Sequence, residues 1–124
     1  MFNSKWHNIG TIYKELRATY SYKVETAWDA TDIKINLPFD GLYVFTLSAF
    51  PSCDDDPGVI TLGVDEFKNE YSQSSFSLSY GKGFNPACIH TFLMYAKAGT
   101  CSLGIWSNRN RTITNACITA IRLL

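Results

Sequence analysis

Gly41-Leu42-Tyr43-Val44-Phe45-Thr46-Leu47-Ser48-Ala49-Phe50 decides the fold class: the stretch is rich in β-branched and aromatic residues and ends in a two-residue alternation. Successive side chains of a strand point to opposite faces, so Tyr43, Phe45, Leu47 and Ala49 share one face that belongs in a core. The other face turns polar at Thr46 and Ser48, as expected where one side of a sheet is covered. Pro38 and Pro51 bracket the stretch, and neither can donate to a ladder.

Outward from it the same period returns. Ile33-Lys34-Ile35-Asn36-Leu37 alternates with Ile33, Ile35 and Leu37 inward, and Val59 to Val64 does so with Ile60, Leu62 and Val64 inward. Tyr20 to Glu25 alternates with Tyr20, Tyr22 and Val24 on one face, and Ile9 to Tyr13 is a shorter candidate. Glu15-Leu16-Arg17 admits at most one helical turn. Phe76 to Tyr80 reads as a short strand between loops, and Ile89–Ala96, Cys101–Trp106 and Ala116–Leu123 close the chain. Gly99 and the run 107–111 supply the turns between the last three. No sustained helical stripe appears. The expectation is one all-β domain spanning 1–124 whose strands, about eight in number, read as a sandwich, jelly roll or barrel.

The totals agree. A chain of 124 residues falls in the range of one domain, and eight Phe, seven Tyr and three Trp exceed what one small core needs. Some rings must therefore lie at a surface. Charged residues make up 18%, below the usual quarter or so, which points to a surface partly covered by a partner. Charge is uneven along the chain. Residues 71–124 carry Lys82, Lys97, Arg109, Arg111 and Arg122 and no carboxylate, whereas residues 37–70 carry seven carboxylates against Lys68 alone. Either the strands interleave and the surface is mixed, or complementary patches meet across a subunit boundary. Five dispersed basic residues make no phosphate-tracking stripe, so nucleic acid is not an expected partner. No run reaches membrane-spanning length and no signal peptide is visible, so synthesis in a cytoplasm without membrane insertion is expected.

Catalytic signatures are missing: there is no HExxH, GxSxG or Gly-rich phosphate loop, and the expectation is a protein that is not an enzyme and needs no cofactor. Cys88 and His90 would share a strand face, but no third group orients them, and a packed thiol beside a structural imidazole fits as well. Cys53, Cys88, Cys101 and Cys117 lack paired spacing, so no zinc site and reduced thiols are expected; were a bridge to form, Cys101 with Cys117 or Cys88 would be the first choice. Asp54-Asp55-Asp56 lack the alternating spacing of a calcium loop and read as a solvated acidic tip, with no metal. Tyr71, Phe76, Tyr80 and Phe84, interspersed with Ser, Gln, Gly and Asn, have the composition of a recognition loop for sugars, and equally that of rings plugging the end of a core. Trp106 with Asn108 and Arg109 forms a second such group.

Three places resemble the jelly-roll domains of phage tail and fibre proteins, close in architecture to the trimeric complement and tumour-necrosis-factor domains. Leu37-Pro38-Phe39-Asp40-Gly41-Leu42-Tyr43-Val44-Phe45 resembles the family's turn followed by Gly-x-Tyr-x-Phe. Ala96-Lys97-Ala98-Gly99-Thr100-Cys101-Ser102-Leu103 is similar to its hairpin, with Thr100 where many relatives have Asp, and Ala120-Ile121-Arg122-Leu123 resembles its last strand. The resemblance covers about residues 33–124 and implies a jelly-roll β-sandwich of about eight to ten strands, with 33–124 as its core and 1–32 of uncertain placement. It also implies a homotrimer and a phage virion role, as fibre, tail-tip or decoration protein, whose partners are its own copies, other virion proteins and a host surface glycan. A stand-alone carbohydrate-binding module or lectin is the alternative.

Overall fold

The computed structural model describes residues 9–24, 29–52, 57–65, 76–81 and 86–124. Eight strands fill them: β1 Ile12–Tyr22, β2 Asp29–Leu37, β3 Gly41–Pro51, β4 Gly58–Asp65, β5 Phe76–Tyr80, β6 Cys88–Ala96, β7 Gly99–Ser107 and β8 Arg111–Arg122. They form two antiparallel sheets in the orders β1-β8-β3-β6 and β2-β7-β4-β5. Each sheet mixes early and late strands, so the carboxylate-rich and arginine-rich halves of the chain interleave. The all-β architecture expected from the alternation forms, in the jelly-roll arrangement that the resemblance implies.

The inward positions that the alternation assigns on β2, β3 and β4 lie in the core, and β7 and β8 add to it. Tyr43, Phe45, Leu47 and Ala49 of β3 are fully buried, as are Ile60 and Leu62 of β4, Leu103 of β7 and Ile118 and Ala120 of β8. Emptying one such position, as in Leu47→Ala, would cost about 2–5 kcal/mol, because the transfer loss is compounded by the cavity. The turn before β3 is held by the residues around it. The Tyr43 hydroxyl donates to the Phe39 carbonyl at 2.6 Å, Asp40 accepts from the Ala98 amide at 2.7 Å, and the Arg122 guanidinium lies 5.1 Å from the Phe39 ring centre. Gly99, at φ 142°, turns the chain between β6 and β7 as its position foretells.

Two expectations need correction. Ile9–Tyr13 and the described part of the next candidate, Tyr20 to Val24, are not separate strands, and Glu15-Leu16-Arg17 is no helical turn: all three lie along or beside the single strand β1, while Glu25 lies outside the described residues. Val24 lies past its end and is exposed, not inward. β8 begins at Arg111, five residues before the expected Ala116. The reason is a bulge. Register against β3 slips by one residue between Ser48 and Phe50, and Asn115 takes φ 52° there.

Both open edges of the sandwich are closed by side chains. On one, Arg17 of β1 meets Asp32 of β2 at 3.1 Å. On the other, Phe76 of β5 stacks on His90 of β6, with centres 5.3 Å apart. Within β2 a register shift between Ala30 and Lys34 breaks the ladder to β7. Thr31 repairs it: its buried hydroxyl donates to the Leu103 carbonyl at 2.7 Å and accepts from the Ile33 amide at 3.1 Å.

Candidate functional site

Of the aromatic residues singled out in the sequence, the described ones, Phe76, Tyr80 and Trp106, lie at separate places. Tyr71 and Phe84 lie outside the described residues, as do Asp54, Asp55 and Asp56. Phe76 opens β5 and joins a ring stack that continues through His90 to Phe92, at 4.8 Å, and on to Phe45, at 5.5 Å. Tyr80 ends the same strand in the core, where its hydroxyl accepts from Arg111 Nε at 2.8 Å. Trp106 is half-buried on β7 opposite Thr61. Asn108 and Arg109 are exposed just beyond it, yet both hold backbone: the Val59 amide donates to Asn108 Oδ1 at 3.0 Å, and Arg109 Nε donates to the Pro57 carbonyl at 3.3 Å. Phe76, Tyr80, Asn108 and Arg109 are thus each engaged with neighbouring parts of the fold.

Cys88 and His90 do share the inner face of β6, as the spacing requires. Burial pushes the Cys88 thiol up to about 11 and pulls the His90 imidazole down. A thiolate–imidazolium pair needs the opposite shifts. Cys88, Cys101 and Cys117 are buried, and none of the three is bridged to another of them. Cys101 points into the core from β7, while Cys117 is on the outward side of β8, so these two face apart. Among the described residues no cluster of histidine, cysteine and carboxylates suited to a metal ion occurs.

What the sequence reading missed is a surface. The outer side of the β1-β8-β3-β6 sheet carries a row of hydrocarbon across all four strands, Ile12, Ile121, Val44 and Leu93, each opposite the next. Leu42 and Tyr95 pair beside it, and Leu16, Cys117, Ser48 and Ile89 form a further row. Ile12 and Leu93 are each 62% exposed, Tyr95 70% and Ile89 54%. Between the two long rows lie Lys14, Thr119, Thr46 and Thr91, and Lys14, at the edge, is the one charge in these rows. The other sheet looks different from outside. Lys34 and Asn36 of β2 face outward with Thr100 and Ser102, and Thr61 with Ser77, around Trp106 and Val59. A sandwich with one wetted face and one apolar face has an asymmetry that core packing does not require. No single strand betrays it, because the row is drawn from β1, β8, β3 and β6, which are scattered through the chain.

No family profile and no curated protein sequence matches the chain. Solved structures do. The chain superposes on a tumour-necrosis-factor protein, Eiger, from S. frugiperda with a TM-score of 0.63 at 9% identity, covering 94% of each chain. It superposes on the globular domain of a zebrafish complement 1qA protein with a TM-score of 0.52 at 13% identity, covering 93% of this chain and 97% of that one. The PRD1 vertex protein P5 gives a TM-score of 0.53 at 14% identity over 93% of this chain and all of that chain (100%). At such identities the likeness is one of fold: the chain has the jelly roll of the tumour-necrosis-factor and complement domains, which a phage vertex protein shares.

Proposed function

We propose that the chain is a non-catalytic assembly module of a phage virion that trimerises through the outer face of its β1-β8-β3-β6 sheet. The observation that carries the reading is the row Ile12–Ile121–Val44–Leu93 with its apolar neighbours, a face that water solvates poorly. Burying it against another copy recovers that area, and a ring of three copies closes without leaving the face open. The resemblance of the Gly41–Phe45 and Ala96–Leu103 segments to phage fibre jelly rolls favours three copies and a virion, and the fold shared with the PRD1 vertex protein supports the same setting. Function as a fibre, tail-tip or decoration protein, joined to other virion proteins or a host surface, follows from that setting.

Sedimentation tests the assembly. The expected mass is three times that of the 13.9 kDa chain, persisting in high salt because apolar burial is not screened. Leu93→Glu, on the exposed side of an edge strand, should yield folded monomer. A monomeric mass at every concentration would remove the trimer. Mass spectrometry of purified virions tests the setting separately, and absence of the chain from them would remove that part alone.

A further inference from the structure

The outer face of the same sheet changes character where β1 and β3 end and β8 begins. Hydroxyls replace hydrocarbon there: Thr19 stands opposite Thr114 and Ser21 opposite Thr112, while Phe50 flanks Thr114 from β3. A cleft of about 380 Å³ opens at this corner, lined chiefly by Phe50, Pro51, Ser52, Pro86, Thr112 and Thr114. A second, of about 290 Å³, shares Ser52 and Thr112 with the first and adds Ser21 and Asn110. Sites for small molecules span roughly 300–1,000 Å³, so the pair is adequate for one or two small rings.

The walls are tied before any ligand arrives. The Ser52 amide donates to the Thr112 carbonyl at 2.8 Å, the Thr112 amide donates back to Ser52 Oγ at 3.3 Å, and Thr114 Oγ1 donates to the Phe50 carbonyl at 3.3 Å. On the far side Asn110 Oδ1 accepts from the Val24 amide at 2.7 Å. A pre-formed site avoids the ordering cost that weakens flexible ones.

The lining restricts the ligand's chemistry. Among the described residues no charged side chain lines the larger cleft, so none of these offsets the desolvation of an ion. In the smaller one Lys23 and Arg111 are both already engaged. A purely apolar guest would strip water from the Ser52, Thr112 and Thr114 hydroxyls and return no hydrogen bond. A guest with a flat C–H face and a rim of hydroxyls satisfies both halves: its hydrocarbon meets Phe50, Pro51 and Pro86, and its hydroxyls donate to and accept from the three side chains. We propose that this double cleft binds a neutral saccharide, with Phe50 as the apolar floor and Ser52, Thr112 and Thr114 as the hydroxyl contacts. The site lies well along β8 from Ile121 and does not depend on the chain being a trimer.

Amide chemical shifts of ¹⁵N-labelled protein, titrated with D-glucose, D-galactose, D-mannose and cellobiose, test it. At least one of these sugars should give saturable shifts confined to the amides of Phe50, Ser52, Ala87 and residues 110–114. Thr112→Val keeps the shape and strand preference of an exposed position while deleting one hydroxyl, and should weaken that sugar about tenfold, the loss of one hydrogen bond. Phe50→Leu should weaken it as well, and the spectra themselves report whether either variant folds. Absence of a saturable shift with all four sugars would overturn the proposal. So would binding unchanged in both variants, or an equal response to sodium acetate.

Discussion

Arg111 of β8 donates through Nε to the Tyr80 hydroxyl at 2.8 Å, and its guanidinium carbon lies 5.8 Å from the Tyr80 ring centre, so a charged group only 5% exposed is held by a tyrosine at the end of the opposite sheet. The pair links β5 to β8 at the corner beside the proposed sugar cleft. Gly58 makes room for it: a Cβ there would come within 2.5 Å of the Tyr80 oxygen and 2.6 Å of Cζ. Tyr80→Phe should therefore destabilise the protein by about 1–3 kcal/mol, the cost of leaving a buried donor without its acceptor. Gly58→Ala should cost a similar amount, about 1–3 kcal/mol, by overpacking. Denaturant unfolding checks both, and a Tyr80→Phe variant as stable as the parent would show the pair to be idle.

The faces of β3 and β4, and of β2 from Ile33 to Leu37, were legible in the sequence because their alternation runs unbroken there. β1 and β8 were legible only in pieces, for one shared reason. Ile113 and Ala116 of β8 are both fully buried although three apart, and Arg17 and Tyr20 of β1, opposite them and also three apart, are both partly buried, so both strands change phase at the same level. A two-residue period cannot be read across such a shift, and each strand looks like a short fragment beside a loop. The apolar outer face was illegible for a different reason: its rows are assembled from strands 1, 8, 3 and 6, and adjacency of those strands is a property of topology.

The phase change makes its own demand at Asn115. With φ at 52°, the residue occupies the left-handed region that asparagine tolerates and β-branched residues do not. Ser48 Oγ donates to its carbonyl at 3.3 Å and fixes the peptide in place. Asn115→Gly is expected to leave stability within about 0.5 kcal/mol of the parent, whereas Asn115→Val should lose about 1–3 kcal/mol. Thermal unfolding of the two variants side by side decides the matter: equal losses would mean that the backbone conformation is not the cause.

His90 gives the fold a dependence on pH. Its ring lies between Phe76 and Phe92, and burial lowers its pKa below the usual 6.5. The unfolded chain therefore binds a proton at a higher pH than the folded one does. Stability from this group is complete above the unfolded value, declines as pH falls through about 6.5, and stops declining below the folded value. Melting temperatures measured from neutral pH downward should show that decline, and His90→Phe, which keeps a ring in the stack, should flatten it. A slope unchanged in His90→Phe would assign the dependence to other groups.

Assembly through the apolar face should also be visible in stability. If folded copies associate and unfolded ones do not, mass action raises the unfolding midpoint with protein concentration. A chain that melts as an isolated monomer shows no such dependence. Leu93 at 62% exposure and Ile12 at 62% contribute little to a monomer's core, so Leu93→Glu should leave the midpoint at low concentration nearly unchanged while removing its rise with concentration. The mixed rows temper the effect of any single substitution, because Thr46 and Thr91 bond to each other at 3.2 Å between the two apolar rows and contribute little hydrocarbon. Salt separates the mechanisms. A face built from Ile12, Ile121, Val44 and Leu93, with Lys14 as the sole charge in its rows, should keep its concentration dependence in high salt, where an association driven by charge would lose it. A midpoint independent of concentration at both ionic strengths would leave the apolar face without a partner of its own kind and overturn the trimer.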